Sequence, residues 1–131
     1  MDDEAEITVD MIDQVRIIRV SGEFDADEAD TVARSLAVPR ERPAPSGRRA
    51  VATVVDLSKV TFADSSLLHS LLTAQQHHER AGLPFVLAEV SPLVLRLLEL
   101  TDTARAFTLA ASLADAVELV RAHGGGPSRT S

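Results

Sequence analysis

The sequence contains no cysteine, no tryptophan and no tyrosine. Without cysteine there is no disulfide framework, no thiolate metal site and no cysteine nucleophile. The aromatic residues are four phenylalanines, 3% of the chain, so platforms for stacking unpaired bases are missing. Lysine occurs once, and 13 basic residues stand against 20 acids, a formal net charge of −7. That balance disfavours a phosphate backbone, and no nucleic-acid partner is expected. No apolar run reaches the length of about 18 residues that a membrane-spanning helix needs, so no membrane partner is expected. The first residues, Met1-Asp2-Asp3-Glu4-Ala5-Glu6, are acidic, the opposite of the basic start of a secretory leader. A soluble cytoplasmic protein is the expectation.

What is present is enough for one domain. The chain has 131 residues, 45% of them apolar. A domain of this size buries roughly two-thirds of its unfolded surface, and the acidic surface favours a monomer. Residues 1–30 hold eleven acids against Arg16 and Arg19. The plain reading is a solvated acidic face; the functional one is a negative patch that steers a basic partner.

Ile7, Val9 and Met11 alternate with polar residues, the period of a half-buried strand. Asp13-Gln14 suits a turn, and Val15 to Val20 a second strand paired with the first, ended by Ser21-Gly22. Asp25 is placed to cap a helix, with Glu28 three residues on as in a capping box. Ala26, Ala29, Val32, Ala33 and Leu36 would form its buried stripe, and Pro39 stops it. Residues 39–49 (PRERPAPSGRR) read as a mobile loop. Ala50 to Leu57 is a nearly continuous apolar, β-branched run that suits a central strand. Asp64 precedes a helical pattern that ends at Gly82. Pro84 to Glu89 is a further strand, Ser91-Pro92 opens a helix to Leu100, and Ala106 to Ala110 is a short strand. Ser112 caps a last helix with Leu113, Ala116, Val117 and Val120 on its core face. The domain is expected over 6–123, between a flexible acidic start (1–5) and a disordered tail (124–131). After the initial hairpin, strands alternate with helices, which means an α/β fold with a mostly parallel sheet.

In such folds chemistry gathers where a strand's carboxyl end meets the next helix. Here that junction runs from Asp56 to Leu68 and places Ser65 and Ser66 at a helix mouth. Unpaired N–H groups and the positive dipole end there stabilise an anion, so a phosphate on Ser65 would be held. Asp64 would cap the helix beside it, and Lys59 could supply a countercharge. An ordinary helix start explains Asp64-Ser65-Ser66 as well. His69, His77, His78 and His123 show no pairing with carboxylates at metal-ligand spacing, so no metal or other cofactor is expected. No Gly-x-Ser-x-Gly elbow surrounds Ser65, which argues against a hydrolase.

The segment Asp56-Leu57-Ser58-x-Val60-x-Phe62-x-Asp64-Ser65-Ser66-x-Leu68 resembles the signature of STAS domains, the anti-sigma factor antagonists of the SpoIIAA type. Ser21-Gly22-Glu23-Phe24-Asp25 resembles the family's turn before its first helix. Val90-Ser91-Pro92-x-Val94-x-Arg96-x-Leu98 and Asp115-Ala116-Val117 resemble two later segments, so the likeness covers about residues 6–122. It implies a mixed sheet with an N-terminal β-hairpin and about four helices packed mainly on one face. It also implies a non-enzymatic switch. The dephosphorylated form binds an anti-sigma factor, a serine kinase of the GHKL type, and frees a sigma factor. The kinase phosphorylates Ser65, with Ser66 a secondary acceptor, and a PP2C-type phosphatase resets the protein. Asp64 and Asp25 would support the site, and Gly22, Glu23, Ser66, Leu67 and Leu68 would meet the partner. One departure is Leu67, where the family usually has glycine. Two alternatives remain: a STAS binding or scaffold module with Ser65 unmodified, and a receiver-like domain phosphorylated on Asp56. The receiver needs Mg²⁺ held by acids after the first strand, whereas Asp2-Asp3 precede it.

Overall fold

The computed structural model describes residues 5–38 and 52–124, with side chains to residue 121. The expected mobile loop 39–49, most of the acidic start and most of the tail fall outside the described residues. Ala5 packs against the core, and Gly124 is the last residue of the final helix.

Among the described residues five strands and four helices follow in order: β1 Glu6–Ile12, β2 Val15–Phe24, α1 Ala29–Leu36, β3 Ala52–Ala63, α2 Ser65–Ala81, β4 Phe85–Ala88, α3 Pro92–Leu100, β5 Thr108–Ala110 and α4 Leu113–Gly124. Single 3₁₀ turns precede α1 (Ala26–Glu28) and β5 (Ala104–Ala106). The strands form one sheet in chain order. The β1–β2 hairpin is antiparallel, and its two-residue turn is made by Asp13 and Gln14, both at positive φ. Every later pair is parallel, because each return passes through a helix.

Strand alternation sorts the core into two layers. Ile18, Val20, Val55, Leu57 and Leu87 face α1, α2 and α3, while Val15, Ile17, Val54, Val86 and Ala88 face α4. The expected packing mainly on one face is therefore three helices against one.

Three local expectations change. β1 is an edge strand and is not half-buried: Val9 and Met11 are each 51% exposed, and Ile7 supplies its packing contact with the core. β2 does not stop at Ser21-Gly22, nor β3 at Leu57. They pair onward through two register shifts, to Glu23 opposite Phe62 and Phe24 opposite Ala63. Gly22, at φ 98°, supplies a backbone conformation that a side chain would resist. In α1, Val32 and Leu36 are buried and Ala33 is exposed, as is Ala26 in the 3₁₀ turn before it. That turn takes Ala26 out of the single helical register that the alanine stripe assumed.

Side chains start the helices as their sequence suggests. Asp25 Oδ1 accepts from the Asp27 N–H at 2.9 Å, and Glu28 Oε1 accepts from the Asp25 N–H at 3.3 Å, a capping box. Asp64 Oδ1 accepts from the Ser66 N–H at 2.8 Å. Ser91 and Ser112 accept from Val94 and Asp115. At the end of α2, Gly82 sits at φ 74° while Gly82 N–H donates to Glu79 and Leu83 N–H to His78, the hydrogen-bond pair of a left-handed helix stop.

At the same end of the sheet, buried polar groups tie four elements together. His78, fully buried on α2, donates from Nδ1 to the Ala74 carbonyl at 2.8 Å. Its Nε2 therefore accepts from Thr53 Oγ1 on β3 at 2.9 Å. Thr53 accepts in turn from Arg16 Nη2 on β2 at 3.0 Å, and that nitrogen also donates to the Ala37 carbonyl after α1 at 2.6 Å. Burial holds His78 below the usual imidazole range, and neighbouring Arg16 adds to that effect.

Two expectations follow. Replacing Asp64 with Ala removes the α2 cap and should cost about 1 kcal/mol in a urea titration; an unchanged midpoint would contradict the cap. For His78, the unfolded chain binds a proton below about pH 6.5 while the folded chain resists it, so stability falls as pH drops through that range. Thermal midpoints between pH 8 and pH 5.5 should decline in the wild type, with a smaller decline in His78→Gln. Equal declines would assign the effect elsewhere.

Candidate functional site

The site is built by the register of β2 and β3. Phe24 and Ala63 are paired neighbours in parallel strands, whose backbones lie about 4.8 Å apart. The next residue on each strand is an acid, Asp25 and Asp64, in extended backbone (φ −120° and −128°). Each opens a helical segment. Two acid-capped helix starts therefore leave the sheet side by side.

The first turn of α2 distributes its groups unequally. Asp64 takes the Ser66 N–H on its side chain, and its carbonyl accepts from Leu67 at 3.1 Å and Leu68 at 3.4 Å. Ser66 is half-buried. Ser65 is exposed at the first helical position, and no described group hydrogen-bonds its hydroxyl. Its Oγ is open to solvent beside a cap carboxylate that is already engaged. The chemistry available there is that of an accessible hydroxyl at the positive end of a helix.

One depression opens at this start and a second at the start of α1. The first, of about 530 Å³, lies between α1 and α2 and is lined by Ala29, Ser65, Ser66, Leu68, His69 and Leu72, among others. The other, of about 500 Å³, is lined by Glu23, Asp25, Glu28 and Thr31 with apolar residues of β1 and β2. A side-chain hydrogen bond with Asp25 raises the pKa of the Glu28 carboxyl above the usual carboxylate range.

The structure brings Asp25, Glu23, Asp64, Ser65 and Ser66 to one end of the sheet. Gly22 is buried within β2 and serves the bulge there. Leu67 is 2% exposed and belongs to the core, so its side chain does not cover Ser65. Leu68 is 7% exposed and forms part of the floor of the α1–α2 groove. Lys59 is not in that groove. It lines a separate depression with Arg19, Asp56 and Glu89, because the extended pairing of β3 keeps it within the sheet, opposite Ser21. Asp56 accepts from the Ser58 N–H at 2.9 Å. Among the described residues no three His, Asp or Glu side chains gather as a metal site, and no helix is long and apolar enough to cross a membrane.

His69 is the groove residue that sequence reasoning missed. The available signal was its spacing, four residues beyond Ser65 on one helix, which stacks the two on one face.

Comparison with curated proteins gives no match. Comparison with solved structures gives several. The anti-sigma factor antagonist SpoIIAA in its unphosphorylated form has a TM-score of 0.71 at 16% identity, covering 89% of this chain and 97% of that one. An anti-sigma factor antagonist from Mycobacterium paratuberculosis has a TM-score of 0.73 at 26% identity, covering 92% and 97%. A sulfate transporter family protein from Wolinella succinogenes has a TM-score of 0.68 at 19% identity, covering 86% and 89%. The fold of this chain thus recurs in these chains. Residues 6–116 match the family model described as the STAS domain, and this chain belongs to the STAS domain family.

Proposed function

We propose that this domain is an anti-sigma factor antagonist whose binding is switched by phosphorylation of Ser65. The observation that carries the reading is the open Ser65 hydroxyl at the first position of α2, flanked by the bound caps Asp64 and Asp25. In this reading residues 6–123 form a monomeric cytoplasmic domain. Its unmodified form binds an anti-sigma factor, a serine kinase of the GHKL type, and so frees a sigma factor. Glu23 and Asp25 on the β2 exit and the α1–α2 groove form the binding face. The burial of Leu67 supports this, since the surface over Ser65 stays clear for a partner.

The domain is substrate and switch, not catalyst. The kinase passes the γ-phosphoryl group of ATP to Ser65 Oγ; the new P–O bond forms, ADP leaves and the hydroxyl proton is lost. Ser66, half-buried behind its bonded N–H, is the secondary acceptor. The modification adds about −1.5 to −2 charges beside two carboxylates. One unit charge at 4 Å is worth about 1 kcal/mol in water and about 4 kcal/mol near a protein surface. An interface that packs against Ser65 therefore loses a few kcal/mol, with each 1.4 kcal/mol a tenfold loss of affinity. The fold need not change. A PP2C-type phosphatase restores the hydroxyl by hydrolysis.

Incubation with the GHKL serine kinases of the source organism and ATP should add about 80 Da, one phosphoryl group, to the wild type and not to Ser65→Ala. No gain in the wild type would instead assign a binding module with a fixed Ser65. In a pull-down with the anti-sigma partner, Ser65→Asp should retain less than about a tenth of wild-type binding; equal retention would overturn the electrostatic account.

A further inference from the structure

A cation near the α2 start would add to the helix end in holding a phosphate on Ser65, and Lys59 lines a different depression. Among the described residues that line the groove, His69 is the one side chain able to carry positive charge. His69 is exposed and lies four residues after Ser65 on α2. Side chains on a helix lean toward its N-terminus, so a residue covers the surface over the preceding turn. The surface over the turn before His69 is that of Ser65.

Among the described residues, no other cationic side chain lines this position. α1 lines the seam with Ala29 beside Ser65 and with Ala33, Leu36 and Ala37 further along, and neither Asp30 nor Arg34 lines it. The Asp25 and Asp64 carboxylates accept from Asp27 and Ser66, and Glu28 reaches back to the Asp25 N–H. His77 stands two turns beyond His69, in the adjoining hollow.

We propose that His69 is the phosphate-pairing residue of Ser65 in its modified form, an inference that rests on the phospho-switch reading above. The imidazolium draws the phosphate along α2, away from the two cap carboxylates and into the α1–α2 groove. The modified side chain then fills the space offered to a partner, so release comes from occlusion as well as repulsion. A phosphoserine titrates near pH 6, and a cation at position 69 favours its dianion. Arginine at the same position would hold the phosphate as well.

The test uses the full chain with phosphoserine installed at position 65 by genetic encoding, which needs no kinase. Phosphorus NMR follows the second ionisation of the phosphate in the otherwise wild-type protein, in His69→Gln and in His69→Arg. A cation beside the phosphate favours its dianion. With His69 present the titration should therefore lie about half a pH unit or more below that of the Gln variant, and Arg should restore the displacement. Superimposable curves for wild type and Gln, or an Arg variant that titrates like Gln, would overturn the pairing. A chain that no kinase modifies would sink the switch and leave this titration unaffected. Failure of the titration would sink the pairing and leave the switch standing.

Discussion

The parallel pairing of β2 with β3, carried through two bulges to Phe24 and Ala63, is the constraint on which the site depends. It sets two strand exits next to each other. The acid after each exit then caps a helical segment, so Asp25 and Asp64 are at once structural and electrostatic features. Shortening either strand would separate the two caps and leave Ser65 on a lone helix start. The pairing demands a residue tolerant of positive φ, which Gly22 provides.

The opposite end of the sheet carries a different kind of constraint. Half-buried Arg16 with buried Thr53 and His78 forms a chain of hydrogen bonds that joins β2, β3 and α2 to the end of α1. Buried polar groups are costly when left unpaired, so this chain specifies how the two helices seat on the sheet. It holds the α1–α2 seam in place, and the groove beside Ser65 is the far end of that seam. A site that changes charge without changing fold needs such a fixed frame.

Much of this was legible in sequence. The central strand was marked by its β-branched run, α2 by Asp64 and Gly82, and α3 by Ser91-Pro92. Those signals are local and lie in the chemistry of single residues. The errors arose where pairing partners decide. Residues 58–63 fall in the expected junction between the central strand and α2, although they complete β3 through the two register shifts. Val9 and Met11 alternate as core residues do, yet they sit on an edge strand. Lys59 is close to Ser65 in sequence but is held within the sheet, while His69 is close on the helix surface. Leu67 read as a partner contact, and its position on the inner face of α2 makes it core.

At the centre of this account, one added phosphate changes affinity and leaves the fold intact. Calorimetric titration of the anti-sigma partner against the unmodified chain and against a chain carrying phosphoserine at position 65 measures that directly. The account requires a Kd at least about a hundredfold weaker for the phosphoprotein, equivalent to a few kcal/mol, with amide spectra altered only around the starts of α1 and α2. Equal affinities, or a loss of affinity accompanied by rearrangement of the whole sheet, would contradict it.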